Sequence, residues 1–435
     1  MRKPTENVEI FKRRREKVLA KLGSKALLVT AHPEYIRNDD VHYPYRQDSN
    51  LYYLTGFEEP ESALLLLPGK KPDAVLFVRR KNPERETWDG FRYGPEAAQK
   101  HFQIQEVYPI DEFEDRATEL LKGYDGLYHH HRKDSALDAK VMDILEKLRR
   151  NYGRSGYGLI SLHDVTEFLG EFRVIKEEAE LENLRKACEI TAQGHLAAMQ
   201  KIKPGMTERQ VQALLSYEFM NRGAAREGYN YIVASGASAT TLHYNFNDQV
   251  CKDGDLLLID AGAEYNYYTG DITRTFPVNK RFSKAQLEVY TRVLEVQKKL
   301  IDMVKPGVPF KKFHDTASEL LTEAMIDLKL LSGRRDELIA ANQHRKYYPH
   351  GVGHYLGLDV HDSGLYMSKA GEARPIEPGM CFTIEPGLYI PENDLSAPAE
   401  FRGIGVRIED NVLVTSSGCE VMTKSAPKEV RDLEA

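Results

Sequence analysis

Cysteine and tryptophan are scarce in this 435-residue chain, which also lacks any long apolar run. Its four cysteines form no CxxC pair, which argues against a zinc ribbon and a dense disulfide framework. They indicate a reducing compartment, so we expect a cytoplasmic protein. Without an apolar run of sufficient length we expect neither a signal peptide nor a membrane span, and no membrane partner.

A strong charge of either sign is lacking as well. The chain has 60 basic and 66 acidic residues, a formal net charge of -6, so we expect no nucleic-acid partner, since such proteins carry a strongly basic face. The first 23 residues are locally basic, with Phe11, Val18 and Leu22 spaced as on one side of a helix. We interpret them as an amphipathic helix whose charged face is solvated.

The length exceeds what one hydrophobic core usually organises, so we expect two domains. Short apolar runs alternate with helical patterns up to about residue 170, which predicts an α/β domain with its own core. Strands are predicted at 26–30, 51–57, 63–68 and 74–78, and helices at 111–124 and 136–152. A long charged helical pattern begins at Lys176. The boundary is therefore placed at about 172, giving domains 1–172 and 173–435.

The second domain repeats a pattern. Two helical stretches flank the Lys-Pro-Gly turn at 203–205, and two more flank the one at 305–307. Apolar alternation with acidic residues follows each helix pair. We expect two half-domains, each built as helix, helix and strands, whose acidic strands meet.

The most informative segment is DLLLIDAGAEYNYYTGDITRTFPV. Asp260 ends an apolar run and Asp271 opens an alternating one. We predict a hairpin turning at Tyr265-Asn266, which would place Asp260 and Asp271 directly opposite each other with Cβ atoms roughly 5 Å apart. Their repulsion would be about 3 kcal/mol at an effective dielectric near 20. A positive charge between them, or protonation of one, is then required.

A second acidic pair is Glu385, in CFTIEPGLYIP, and Glu409, in GIGVRIEDNVLVT, where Arg407 shares the face of Glu409. The segment HGVGHYLGLDVHD lies between the two pairs and carries His350, His354 and His361. Its glycines at 351, 353 and 357 would let the backbone approach closely.

Four carboxylates and a histidine are a hard, oxygen-rich ligand set, which suits Mn²⁺, Mg²⁺, Fe²⁺ or Co²⁺. Two divalent ions would neutralise the four carboxylates. Such a pair activates water and stabilises a tetrahedral intermediate, so the predicted chemistry is amide hydrolysis. Each residue taken alone also has a structural interpretation: a strand-ending Asp260 is more often a turn former, and Glu409 could lie on a surface strand. Their joint pattern favours the metal site.

These segments resemble the aminopeptidase P (Xaa-Pro aminopeptidase) family of the pita-bread fold. The resemblance is carried by LLLIDAGAEYNYYTGDITRTFPV, HGVGHYLGLDVHD, TIEPGLYI and GVRIEDNVLVT, spread over residues 176–435. It implies an α/β (α+β) fold with a pita-bread catalytic domain of two pseudo-repeated halves. It also implies two divalent ions, usually Mn²⁺, and the removal of the first residue from peptides with proline in second position. The implied metal ligands are Asp260, Asp271, His354, Glu385 and Glu409.

The resemblance also implies individual roles. Asp271 and Glu409 would bridge the two ions, Asp260 would complete one shell, and His354 and Glu385 the other. Glu385 would shuttle the proton to the leaving nitrogen, His361 would stabilise the oxyanion, and His243 would lie near the substrate. Tyr229 and His350 would line the pocket, and Arg407 would orient a ligand carboxylate.

The N-terminal half, especially YPYRQDSNLYYLTGF, resembles the smaller creatinase-like α/β domain of aminopeptidase P. In that family it caps a neighbouring subunit's active site, which implies a homodimer or homotetramer. Trp88 could line such a shared mouth or be a buried structural residue. Two other functions stay open: a prolidase restricted to Xaa-Pro dipeptides, and a pita-bread protein that binds peptides without cleaving them.

Overall fold

The structure is a computed structural model that describes residues 7–435. These residues form two compact units, one ending at Phe172 and the other covering Arg173–Ala435. No helix among residues 7–435 is both long and apolar enough to cross a membrane.

The first unit is built on a six-stranded mixed sheet of order β6-β5-β4-β1-β7-β8. Its elements are α1 (Val8–Leu22), β1 (Lys25–Thr30), β2 (Ile36–Asn38), β3 (Val41–His42), α2 (Ser49–Thr55), β4 (Ala63–Leu66), β5 (Ala74–Val78), α3 (Pro83–Asp89), α4 (Gly94–Phe102), β6 (Glu106–Pro109), α5 (Phe113–Leu121), β7 (Gly126–His129), α6 (Ser135–Tyr152), β8 (Ser161–Asp164) and α7 (Val165–Arg173). Helices α5 and α6 pack their apolar faces against β1, β4, β5 and β7 to form its core. The predicted α/β pattern is confirmed.

The strand predicted at 51–57 is wrong, because these residues form α2. The Asp48 side chain accepts a hydrogen bond from the Leu51 N–H at the start of this helix, and Gly56 ends it in the left-handed conformation at φ 67°. Every residue of α2 is buried. A continuous apolar run of this length carries no periodicity that separates a buried strand from a buried helix.

The charged face of α1 was predicted to be solvated, but two of its basic side chains are buried. Arg14 and Arg15 are buried, and they donate hydrogen bonds to the carbonyl groups of Tyr53 and Leu54 at the end of α2. Residues 1–6 of the predicted helix lie outside the described residues. Trp88 is 83% exposed, which excludes the buried interpretation of this residue.

The second unit consists of helices around several short antiparallel sheets. Its elements are α8 (Glu178–Lys201), α9 (Glu208–Asn221), β9 (Arg226–Glu227), β10 (Ile232–Ser235), β11 (Leu256–Ala261), β12 (Ala263–Tyr265), β13 (Tyr268–Thr269), β14 (Ile272–Pro277), α10 (Lys284–Asp302), α11 (Phe310–Asp327), α12 (Arg335–Ala340), β15 (Cys381–Ile384), β16 (Gly387–Ile390), β17 (Ile404–Arg407), β18 (Asp410–Val414), β19 (Cys419–Val421) and α13 (Val430–Leu433).

The predicted repeat is present in this unit. Helices α8 and α9 precede the sheet β10-β11-β14, and helices α10 and α11 precede the sheet β15-β18-β19. Both Lys-Pro-Gly turns lie between the paired helices, and both need glycine, since Gly205 and Gly307 have φ of 92° and 89°. The two halves meet where the Glu409 N–H donates to the carbonyl of Thr273, beside β14.

Candidate metal centre and active site

The hairpin that carries Asp260 and Asp271 turns one residue later than predicted. Strand β12 pairs with β13 around Asn266-Tyr267, whose φ values of 47° and 71° are those of a type I′ turn. Positive φ is uncommon for tyrosine, which is why the sequence pointed to the preceding pair. In the resulting register Asp260 lies opposite Thr273, so the predicted direct pairing of the two aspartates is wrong.

The two aspartates nevertheless share one face of the hairpin. Side chains alternate along a strand, so Asp271 points the same way as Thr273, and Thr273 points the same way as its partner Asp260. The strands pass very closely here, because a Cβ on Gly262 would lie 1.7 Å from the carbonyl oxygen of Gly270. Asp260 and Asp271 are therefore diagonal neighbours.

The second acidic pair has the direct pairing that the first one lacks. Ile384 lies opposite Asp410 in β15 and β18, and Gly387 lies opposite Arg407 in β16 and β17. The β15–β18 ladder and the β16–β17 ladder share one register and are separated by residues 385–386 on one side and 408–409 on the other. Continuing this register through the gap places Glu385 opposite Glu409. Short strands on either side hold these two carboxylates in place.

His354 reaches the carboxylates from a loop that runs beside β15. It pairs there with Thr383, whose N–H donates to the His354 carbonyl at 2.9 Å. A Cβ on Gly353 would lie 1.9 Å from the Thr383 carbonyl oxygen, so glycine is required at this position. Gly357 is similarly close to Asp362. Gly351 has open space around it, and the close approach predicted there is wrong.

All ten residues predicted to form the site line one cavity of about 720 Å³. They are Tyr229, His243, Asp260, Asp271, His350, His354, His361, Glu385, Arg407 and Glu409. His243 and His361 are exposed, while the carboxylates lie deeper. Potential ligand atoms of Asp271, His354 and Glu409 lie within 4.8 Å of one another.

Asp271 stands at the centre of the carboxylates and directs its two oxygens to different neighbours. Its Oδ2 lies 3.4 Å from Nε2 of His354, which in turn lies 3.5 Å from Oε1 of Glu385. Its Oδ1 lies 2.5 Å from the hydroxyl of Tyr229, which also lies 2.6 Å from Oδ1 of Asp260. Since a hydroxyl has a single proton, Tyr229 cannot satisfy both carboxylates.

Burial and mutual repulsion disfavour ionisation of several carboxylates. Burial, followed by the charge of Asp271, raises the pKa of Glu409 well above its usual range. Burial, opposed by the positive charges of His354 and Arg407, still raises the pKa of Glu385 to about 7. Burial works against a charged His354, but its hydrogen bond to Asp271 and the negative charges of Glu385 and Asp271 together outweigh burial and raise its pKa to about 9. The protein groups alone thus leave negative charge uncompensated.

A set of four carboxylates and one imidazole fits divalent cations. Four ionised carboxylates exceed the single charge of Arg407, whose Nη2 donates to Oδ2 of Asp260 at 2.7 Å. The Nδ1 of His354 lies 3.1 Å from the carbonyl of Tyr355, so Nδ1 carries the proton and Nε2 is available as a ligand atom. The oxygen-rich donors suit hard ions.

Sequence reasoning missed residues that orient the predicted ones. Thr273 donates its hydroxyl proton to Oε2 of Glu409 at 2.7 Å. Tyr389 accepts a hydrogen bond from Arg407 at 2.9 Å and donates to Nε2 of His350 at 2.8 Å. Spacing could have found them, because Thr273 lies two residues after Asp271 and Tyr389 lies four after Glu385, on the same faces.

Asn411 was missed as well, and no local pattern marks it. Its side-chain Oδ1 accepts from the Asp271 N–H at 2.9 Å, and its Nδ2 donates to the Asp271 carbonyl. The amide thus takes the place of a strand partner for the backbone of Asp271. The thiol of Cys188 donates to the same Oδ1 at 3.2 Å.

Comparison with known proteins agrees with this arrangement. Residues 182–416 match the model of metallopeptidase family M24, and residues 11–128 match that of the aminopeptidase P N-terminal domain. The Xaa-Pro aminopeptidase of Haemophilus influenzae is 41% identical over 432 residues, which cover 98% of this chain and 96% of that protein. The Xaa-Pro aminopeptidase of Escherichia coli is 40% identical, over 98% of this chain and 96% of that protein.

Solved structures are equally similar. The aminopeptidase PepP of Pseudomonas aeruginosa matches with a TM-score of 0.94 and 40% identity, over 99% of this chain and 98% of that one. Zinc-substituted aminopeptidase P of Escherichia coli, in complex with product, matches with a TM-score of 0.92 and 39% identity, over 99% and 98%. The expected pita-bread fold is confirmed. The chain belongs to the Xaa-Pro aminopeptidases of metallopeptidase family M24, and it is a hydrolase.

Proposed function

We propose that this enzyme removes the first residue from peptides with proline in second position, using two divalent ions. The observation that carries the proposal is the buried cluster of four carboxylates and one imidazole in a single cavity. The similarity to Xaa-Pro aminopeptidases over nearly the whole chain supports the proline specificity.

The proposed ligands are Asp260, Asp271, His354, Glu385 and Glu409, with Asp271 and Glu409 shared by both ions. Support comes from the orientation of Asp271, whose Oδ1 lies on the side of Asp260 and whose Oδ2 lies on the side of His354. A carboxylate oriented in this way can offer one oxygen to each ion. Glu409, held by Thr273 and facing Glu385, is placed to do the same.

Two divalent ions would balance the four carboxylates, and the hard donors favour Mn²⁺. When bound, such a pair would supply Lewis acidity and would lower the pKa of a water molecule in the site. The residues of the chain then have defined tasks. Arg407 and Tyr229 hold Asp260 and Asp271 in their orientations, and Thr273 holds Glu409.

We assign proton transfer to Glu385. Its Oε1 lies 3.5 Å from Nε2 of His354 inside the cavity, and a carboxylate in this position can accept a proton and then release it to the departing proline nitrogen. His361 is exposed in the cavity, with its ring 4.2 Å from that of His354, and we assign to it the stabilisation of the oxyanion.

The remaining cavity residues are assigned to substrate binding. Burial lowers the pKa of His350 to about 3, so its imidazole is neutral; it donates from Nδ1 to the Gly351 carbonyl and accepts from Tyr389. A neutral ring fixed at both nitrogens suits an uncharged contact such as proline. His243 lies exposed in the same cavity, where it can contact the peptide.

We further propose a homo-oligomer, a dimer or tetramer, in which residues 1–172 help to cover the active site of a neighbouring subunit, and a cytoplasmic location. The exposed large apolar side chains Trp88, Ile36 and Tyr35 of the first unit support an interface there. Light scattering on the purified protein would test the oligomer, and a monomer at micromolar concentration would refute it.

The decisive experiment is hydrolysis of Arg-Pro-Pro and of Gly-Pro, each after chelation and again after adding Mn²⁺. We expect release of Arg from the tripeptide only in the presence of metal. Cleavage of Gly-Pro alone would make the enzyme a prolidase. If neither peptide is cleaved at any metal concentration, the remaining interpretation is a protein that binds peptides without hydrolysing them.

A further inference from the structure

A second cavity, of about 520 Å³, opens beside the active-site cavity and shares His350 and Gly351 with it. It is formed by one face of α11, by α12 and by the segment that follows α12. Helix α11 contributes Lys312, Asp315 and Glu319, which are spaced three and four residues apart and so lie on one face. Its size falls within the range of about 300–1,000 Å³ that is usual for ligand sites. None of the roles assigned above uses it.

The proposed reaction limits what this cavity can receive. An aminopeptidase that removes one residue has a single residue on the amino side of the cleaved bond, and the rest of the peptide lies on the other side. We propose that the second cavity binds the part of the peptide that follows the proline, with a carboxylate of that part lying against Lys312 and Arg345. This inference rests on the proposed function and extends it to longer peptides.

The wall shared by the two cavities is polar. Tyr348 lines the second cavity, and its ring lies 4.9 Å from that of His350, edge to face. The Tyr348 side chain is 1% exposed, and among residues 7–435 its hydroxyl has no hydrogen-bond partner. An unsatisfied buried hydroxyl costs about 1–3 kcal/mol. The hydroxyl is closed to solvent, so a peptide group passing from one cavity to the other would supply the missing bond only after the Tyr348 side chain turns towards it.

The charges of the cavity favour an anionic group. Asp315 and Asp336 are already paired, with Lys311 at 2.6 Å and Arg335 at 2.9 Å. Lys312 has no ion pair in the described part of the chain.

Arg345, on the segment after α12, also forms no ion pair within residues 7–435 and donates only to the carbonyl of Pro349, at 3.3 Å. Glu319 is the one acidic lining residue that stays unpaired in the same range. Burial lowers the pKa of His314 and of His344, so both are neutral at neutral pH and add hydrogen-bonding groups rather than charge. Two unpaired cations against one unpaired anion predict a preference for a carboxylate.

The carboxylate could be the C-terminus of the peptide or an acidic side chain, and a peptide series separates the two. We would compare kcat/KM for Arg-Pro-Pro, Arg-Pro-Pro-Gly-Gly, the same pentapeptide with an amidated C-terminus, and amidated Arg-Pro-Pro-Gly-Asp. We expect the free pentapeptide to exceed the tripeptide, mainly through KM, and amidation to reduce the gain. If amidated Arg-Pro-Pro-Gly-Asp recovers the higher kcat/KM, the cavity accepts the carboxylate of an acidic side chain as well as a C-terminal carboxylate.

Variants place the effect in this cavity. The double variant Lys312→Ala/Arg345→Ala should reduce the ratio of kcat/KM between free and amidated pentapeptide by about threefold to tenfold, the range expected of two exposed charge pairs. Lys299→Ala is the matched control, because Lys299 is an exposed lysine of α10 that lines neither cavity. It should leave the ratio unchanged.

Two results would overturn the inference while leaving the proposed function intact. One is a kcat/KM that does not depend on peptide length or C-terminal charge. The other is a double variant with the same ratio as Lys299→Ala. If even Arg-Pro-Pro is not hydrolysed in the presence of metal, the proposed function itself is refuted, so the two failures are distinguishable.

Discussion

Asn411 provides a sharp test of how the metal centre is built, because it touches no proposed ligand side chain. Its side-chain amide makes two hydrogen bonds with the backbone of Asp271, accepting one from the N–H and donating one to the carbonyl. Asp271 directly precedes β14, so the ladder with β11 does not hold its backbone. The direction of the Asp271 carboxylate therefore depends on Asn411.

The structure sets the size of the expected effect. Asn411→Ala leaves a buried N–H and a buried carbonyl of Asp271 without partners, at about 1–3 kcal/mol each. The free energy of unfolding should fall by about 2–6 kcal/mol. Without these two hydrogen bonds the backbone of Asp271 is no longer held in place. Metal affinity should therefore also fall by about 10-fold to 100-fold, as is usual when groups that orient metal ligands are removed.

Metal affinity is measured by titrating the chelated protein with Mn²⁺ against a competing chelator, and stability by thermal denaturation without metal. Asn247→Ala is the matched control. The buried Asn247 makes the same two kinds of bond, to the N–H of Val233 at 2.9 Å and to the carbonyl of Tyr231 at 3.0 Å, on a strand without ligands. It should lose at least as much stability, because Asn247 has a φ of 49° that alanine disfavours, but it should retain its metal affinity.

If Asn411→Ala does not fold, Asn411→Asp serves instead. This change keeps the acceptor for the Asp271 N–H and sets an oxygen against the Asp271 carbonyl. The reasoning is refuted if the Asn411 variant binds Mn²⁺ as tightly as the Asn247 variant at a comparable loss of stability.

Three further changes test the metal centre. Asp271→Asn removes the central charge and should lower kcat by more than tenfold with the fold retained; activity above a tenth of wild type would exclude the two-ion assignment. Tyr229→Phe removes a hydroxyl that lies between Asp260 and Asp271 and donates its proton to one of them. Loss of this hydrogen bond to a charged group should lower kcat/KM on Arg-Pro-Pro by about 10-fold to 100-fold. Ligands must lose their protons to bind metal, and the pKa values of His354 and Glu385 are raised to about 9 and 7. Mn²⁺ affinity should therefore fall as pH drops below 9 and more steeply below 7, with proton release detectable by calorimetry in buffers of different ionisation enthalpy; affinity independent of pH between 6 and 9 would contradict this.

Local patterns in the sequence were sufficient to single out the two acidic pairs and the histidine segment between them. Alternation placed Asp271 and Thr273 on one face and Glu385 with Tyr389 on another, because the period of a strand is fixed at two by its pleat. The Lys-Pro-Gly turns marked the repeat, since proline and a left-handed glycine end helices wherever they occur. These features depend only on neighbours along the chain.

Tertiary structure decided the features that depend on distant residues. The register that sets Asp260 opposite Thr273 follows from a turn in which Tyr267 adopts positive φ, a conformation its own side chain disfavours. Residues 51–55 lie in helix α2, whose ends are capped and whose residues are all buried, so no hydrophobic periodicity distinguishes this helix from a buried strand. Asn411 reaches Asp271 across 140 positions of the chain. Such contacts exist only once the two halves meet. The sequence therefore named the candidate ligands, and packing between the halves determined how they are held.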